Sequence, residues 1–132
     1  MKVIITYGTF DILHYGHLKL LKRAKELGDY LIVGLSTDEF CLEKDKNTYY
    51  DYDKRKEMLE AIRYVDKVIP EYNFDQKFED FKKYKVDTFV IGSDYINSDK
   101  LKDIDKYCKL VILDRTPNVS TTKLKGILKE EK

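Results

Sequence analysis

The stretch VIITYGTFDILHYGHLKLLKRAKELGDYLIVGLS, residues 3–36, decides how the chain folds. Its opening VIITY is a β-branched run of the kind found in buried parallel strands. After a turn, His17 to Leu27 places Leu18, Leu20, Leu21, Ala24 and Leu27 three and four residues apart. That spacing predicts an amphipathic helix, ended by Gly28. YLIVGLS (30–36) then returns to strand composition.

The same alternation continues along the chain. Residues 51–65 put Met58, Leu59, Ile62 and Val65 on one helical face, and KVIP (67–70) reads as a short strand closed by Pro70. A helix is expected over 75–84, a strand over DTFVIG (87–92), a short helix near 99–106, and a strand at KLVIL (109–113). Ser120 can cap a final helix carrying Leu124, Ile127 and Leu128. The order implies an α/β fold with a five-stranded parallel sheet, helices on both faces and right-handed crossovers. One interval has no clear pattern: TDEFCLEKDKNTYY, 37–50, is long for a compact α/β connection and carries Lys44 and Lys46.

Length and composition narrow the function classes. The 132 residues suit a single domain, 1–132, with a core large enough to need no disulfide or metal. Lysine and arginine total 25 against 24 acidic residues, so the basic excess of a nucleic-acid or membrane-surface binder is missing. Cys41 and Cys108 form no CxxC pair, and reduced thiols are expected. The N-terminal apolar run is short for a signal peptide and nothing approaches a membrane span, so the expected location is the cytoplasm.

In an open parallel sheet, ligands bind beyond the carboxyl ends of the strands. The turn after the first strand is at that end, and it holds both histidines of the chain, His14 and His17. Gly8 permits a tight turn or a close approach of backbone to ligand, and Gly16 leaves the helix N-terminus uncrowded for an anion. The pair therefore flanks a ready-made phosphate site, where an imidazole donates hydrogen bonds and an anion favours its protonated form. A zinc site is the weaker reading, because no third histidine exists and three or four ligands are needed. A plainer one makes the two histidines turn and cap residues. Lys44 and Lys46 could equally be loop charges, and Arg55 and Arg63, eight apart on one helical face, surface ion-pair residues. Tyr49, Tyr50 and Tyr52 read as packing for the loop or an interface.

GTFD followed by HYGH resembles the HxGH signature of the nucleotidylyltransferase superfamily, whose fold is Rossmann-like, a three-layer sandwich. RTPNVSTT (115–122) is similar to its second signature. With STDEF (36–40), the paired lysines, the YDYDKRKEMLEAIRYVDKVIPE run (50–71) and DTFVIGSD (87–94), nearly the whole chain resembles the glycerol-3-phosphate cytidylyltransferases. The resemblance implies transfer of the cytidylyl group of CTP to glycerol 3-phosphate, giving CDP-glycerol and pyrophosphate for a cell-envelope or surface polymer such as teichoic acid. It implies His14, His17, Lys44 and Arg115 as catalytic residues. Gly8, Thr9, Phe10, Asp11, Lys46, Asp94, Arg115, Thr116, Ser120 and Thr121 would join the histidines in holding the nucleotide. Lys44, Arg55 and Arg63 would hold the acceptor. Mg²⁺ would accompany CTP, with no dedicated protein cage, and the protein would be a homodimer.

Joining two anions calls for cations and positioning more than for a general base, which suits a site built of His, Lys, Arg and helix termini. Two segments depart from the family pattern: GSDY (92–95) lacks the usual acidic residue and tryptophan, and RTPNVSTT replaces RTEGISTT. Two alternatives therefore stand beside the leading reading: a cytidylyltransferase for another small phosphorylated alcohol or amine, and a non-catalytic nucleotide sensor.

Overall fold

The structure is a computed structural model that describes residues 1–92 and 101–114. The strands are β1 (Val3–Gly8), β2 (Tyr30–Ser36), β3 (Lys67–Glu71), β4 (Thr88–Gly92) and β5 (Lys109–Leu113). The helices are α1 (Tyr15–Glu26), α2 (Asp38–Glu43), α3 (Tyr52–Glu60) and α4 (Gln76–Lys83), with a 3-10 turn at Ile104–Lys106. All five strands are parallel, in the order β3-β2-β1-β4-β5. The chain builds outward from β1 to β3, then crosses over to β4 and builds outward to β5. Connections on the two sides of the β1–β4 junction diverge, and this is where an open α/β sheet offers a crevice.

Period-two alternation sends successive strand residues to opposite faces. Ile4, Leu31, Val33, Leu35 and Val90 meet Leu21 and Ala24 of α1 and Leu59 of α3. Ile5, Ile32, Ile69, Phe89 and Ile91 meet Phe81 of α4 and Ile104. Each fully buried aliphatic side chain contributes about 1.5–3 kcal/mol over an exposed one, so the sheet is held by two dry faces. This is the Rossmann-like three-layer sandwich that the sequence implies.

Local differences have local causes. Helix α1 starts at Tyr15, two residues before the expected His17, because His14 caps it. Gly28 does not end α1 with a left-handed turn, since no glycine described has positive φ. It clears space instead: a Cβ there would stand 2.8 Å from the Ile4 side chain and 2.9 Å from the Lys2 carbonyl. Helix α3 runs only to Glu60, which leaves Arg63 outside it and removes the shared helical face expected for Arg55 and Arg63. Pro70 lies within β3, which extends to Glu71; as an edge strand it tolerates a proline. Segment 37–50 contains α2, a helix too short to show a 3.6-residue period; Thr37 caps it by accepting from the Phe40 N–H.

Candidate active site

Strand β1 ends in a turn shaped by Gly8 and Phe10. Phe10 adopts φ 46, and its ring folds back so that a Cβ on Gly8 would lie 2.7 Å from it. Gly8 is therefore required by the turn's own packing. The Phe10 side chain is buried in the core below His17, with ring centroids 5.3 Å apart, so only the main chain of Phe10 is available to a ligand.

His14 and His17 cap α1 reciprocally. The Gly16 N–H donates to His14 Nδ1 (3.0 Å), and the His14 N–H donates to His17 Nδ1 (3.3 Å). Each ring thus uses Nδ1 as an acceptor, an arrangement that assigns the proton of the neutral form to Nε2. The rings stack with centroids 3.9 Å apart. Burial, with a smaller push from the neighbouring His14, brings the His17 imidazole down to about 4 against an opposing hydrogen bond to the Ile12 backbone. The cap reading and the phosphate reading are compatible, because capping occupies only the Nδ1 side of each ring.

Lys44 closes α2. Asp45, at φ 57, turns the chain away, and Lys44 folds back over the Phe40 ring four residues earlier, 4.4 Å from its centroid. Its ammonium donates to Ser36 Oγ at 2.8 Å and stands 3.5 Å from Thr9 Oγ1. It therefore bridges the end of β2 and the turn after β1. Ser36 in turn donates to Glu71 Oε1 at 2.9 Å. Burial raises the Glu71 carboxyl above its ordinary range, and the Ser36 hydrogen bond, Lys44 and Lys77 offset only part of that rise.

Asp11 and Arg55 tie these segments together. Asp11 is 2% exposed, and its carboxylate accepts from the N–H groups of Tyr49 (2.6 Å) and Tyr50 (2.9 Å). Arg55 is fully buried. It donates to the carbonyls of Tyr50 (3.1 Å), Thr9 (2.9 Å) and Ser36 (2.8 Å) and to Asp38 Oδ1 (2.7 Å). The surface ion-pair reading of Arg55 is thereby corrected, because a forked guanidinium can satisfy four acceptors where a chain reversal gathers them. In the acceptor-binding role that the resemblance implies, Arg55 would have to exchange one of these partners.

Thr9, Phe10, Asp11, His14, His17, Lys44 and Arg55 thus come together at the carboxyl edge of β1 and β2. Lys46 is exposed on the loop beyond Asp45, and Arg63 is exposed and stands over Tyr64 at 5.2 Å. Asp94, Arg115, Thr116, Ser120 and Thr121, with the helix expected after Ser120, lie outside the described residues. Ser36 and Glu71 are not among the expected site residues: both lie within motifs the sequence offers, but pairing across strands is not visible in a linear pattern. Tyr49 and Tyr50 pack edge to face at 5.0 Å, as loop packing requires. Among the described residues no group of three or more His, Cys, Asp or Glu could hold a metal. No helix among them is long and apolar enough to cross a membrane.

Fold and site together define an α/β protein whose sheet edge gathers two imidazoles, an ammonium and a helix N-terminus. The sequence model of the family described as Cytidylyltransferase-like matches residues 5–128. A glycerol-3-phosphate cytidylyltransferase of Staphylococcus aureus is 58% identical, over 95% of this chain and 93% of its own length. One of Bacillus spizizenii is 55% identical over 95% of each chain. A solved structure, described as the lipopolysaccharide core biosynthesis protein from Thermoplasma volcanium, matches with a TM-score of 0.74 at 27% identity, covering 88% of this chain and 97% of that one. The chain belongs to the cytidylyltransferase-like family, alongside the glycerol-3-phosphate cytidylyltransferases.

Proposed function

We propose that the protein transfers the cytidylyl group of CTP to glycerol 3-phosphate, releasing pyrophosphate and CDP-glycerol. A phosphate oxygen of glycerol 3-phosphate attacks the α-phosphorus of CTP, and the bond from that phosphorus to the α–β bridging oxygen breaks. The leaving electrons remain on pyrophosphate. A phosphate dianion is already a nucleophile near neutral pH, so catalysis rests on positioning and charge. The Nε2–H groups of His14 and His17 donate to phosphate oxygens as charge builds up in the transition state. Lys44 neutralises the approaching phosphates, and the resemblance adds Lys46 as a nucleotide contact and Arg55 and Arg63 as acceptor contacts. Asp11 and Arg55 keep the lysine loop closed on the turn.

The observation that carries this reading is the joining of the capped histidine pair to the Lys44 ammonium through the Thr9 turn, in a chain 55–58% identical to glycerol-3-phosphate cytidylyltransferases. That level of identity disfavours another phosphorylated alcohol or amine as acceptor. Mg²⁺ fits as a companion of the triphosphate, since the nearby carboxylates Asp11 and Glu71 are engaged by protein donors. When bound, it supplies charge neutralisation on phosphate oxygens. The reading extends to Asp94, Arg115, Thr116, Ser120 and Thr121 as further nucleotide contacts. It also extends to a cytoplasmic homodimer feeding a teichoic acid or other surface polymer, supported by the resemblance of the two signatures.

The test is pyrophosphate release with Mg²⁺, each nucleoside triphosphate in turn, and a panel of phosphorylated acceptors. Turnover with CTP and glycerol 3-phosphate is expected. Turnover confined to another acceptor would move the assignment within the class, and CTP binding without turnover on any acceptor would make the protein a sensor.

A further inference from the structure

The β2–β3 register sets Ser36 beside Glu71, so two polar side chains meet at the carboxyl edge of the sheet where the strands below carry Leu35, Val68 and Ile69. Both are buried, and both backbones are held there: the Thr37 N–H donates to the Glu71 carbonyl at 3.0 Å, and Arg55 donates to the Ser36 carbonyl. Their side chains form the far end of a directional chain. Lys44 Nζ donates to Ser36 Oγ, and Ser36 Oγ donates to Glu71 Oε1. A serine hydroxyl has one proton; giving it to Glu71 turns its lone pairs toward Lys44.

We propose that Glu71 is a positioning residue for the reaction, acting through the Ser36 hydroxyl to hold the Lys44 ammonium where the phosphates arrive. Lysine has four rotatable bonds and no directional fork, so its charge is only as well placed as its partners make it. The Phe40 ring supports the ammonium from below, and the Ser36–Glu71 pair fixes its lateral position. Lys77 and Asp80 also act on Glu71, which makes neutralisation of Lys77 the competing structural account of this carboxylate. This proposal rests on the reading of Lys44 as a phosphate contact.

The two accounts separate in a double-mutant cycle on the enzyme with CTP, glycerol 3-phosphate and Mg²⁺. Lys44→Ala is expected to raise the KM of at least one substrate. Ser36→Ala and Glu71→Gln should each raise that same KM about three- to tenfold, with kcat less affected, as expected for ground-state contacts. In the Lys44→Ala background the same changes should add less than about twofold, because coupled residues are not additive. Equal losses in both backgrounds, or an unchanged KM, would overturn the positioning role and leave the Lys44 reading standing. Unchanged kinetics in Lys44→Ala alone would remove both. Should Glu71→Gln fail to fold, Glu71→Asp, which draws the carboxylate back by one methylene, takes its place in the cycle.

Discussion

At the scale of single residues, His17 is the group whose state the surroundings control most. With its imidazole at about 4 against 6.5 in an open chain, it is neutral at pH 7 and Nε2 keeps its one proton. A neutral donor at a forming oxyanion is costly to remove: His17→Ala should lose about 3 kcal/mol of transition-state stabilisation, roughly 10²-fold in kcat. A variant turning over at the wild-type rate would reject that role. The same shift bears on stability. Because the folded protein binds this proton more weakly than the unfolded chain, its contribution is complete above about pH 6.5 and is lost as pH falls toward 4. Allowing for partial exposure, the loss is about 1–3 kcal/mol across that window. Denaturant titrations at pH 7 and pH 5 should show it, and His17→Gln, which does not titrate, should flatten that part of the profile.

At the scale of elements, the loop after α2 owes its shape to one carboxylate. Asp11 satisfies two consecutive backbone N–H groups, at Tyr49 and Tyr50, across 38 and 39 residues of chain. Asp11→Ala leaves both amides without that acceptor, so hydrogen exchange at Tyr49 and Tyr50 should quicken by at least about tenfold, charge-assisted bonds of this kind being worth 1.5–3 kcal/mol. Protection unchanged at both amides would show that the loop holds itself. The sequence marks 37–50 as unusual and singles out its lysines, but it hides this clamp. Thr37 before Asp38 and Glu39 carries a helix-start signal that the reading of 37–50 as patternless misses. The Asp11 contact carries no such signal, because nothing local relates a turn residue to amides so far along the chain. Gly28 teaches the same point: its position at a helix end is legible, while the Ile4 contact that demands it belongs to the packed sheet.

At the scale of the whole molecule, strand and helix composition was enough to give the parallel sheet, because buried β-branched runs and amphipathic helices alternate on either side of the patternless 37–50 interval. What composition cannot give is where the ends of those elements are pinned to one another, and Arg55 does that. Its guanidinium joins the β1 turn, the end of β2, the Tyr50 carbonyl and Asp38 at the start of α2. An arginine in a run of charged helical residues looks like surface; only closure of the sheet edge buries it. Truncation would take the donor from three carbonyls at once, while Asp38, partly exposed and also held by the Tyr52 N–H, would keep other partners. Arg55→Ala should therefore cost about 3–5 kcal/mol of global stability, since each buried acceptor left without its donor costs about 1–3 kcal/mol. That is a large share of the 5–15 kcal/mol typical of a domain. It would appear as a lowered urea midpoint with little change in slope. Arg55→Lys keeps the charge but not the fork, and should recover only a minor part. A loss below about 0.5 kcal/mol, the range of surface substitutions, would instead return Arg55 to the solvated face, with its guanidinium free to meet the acceptor phosphate.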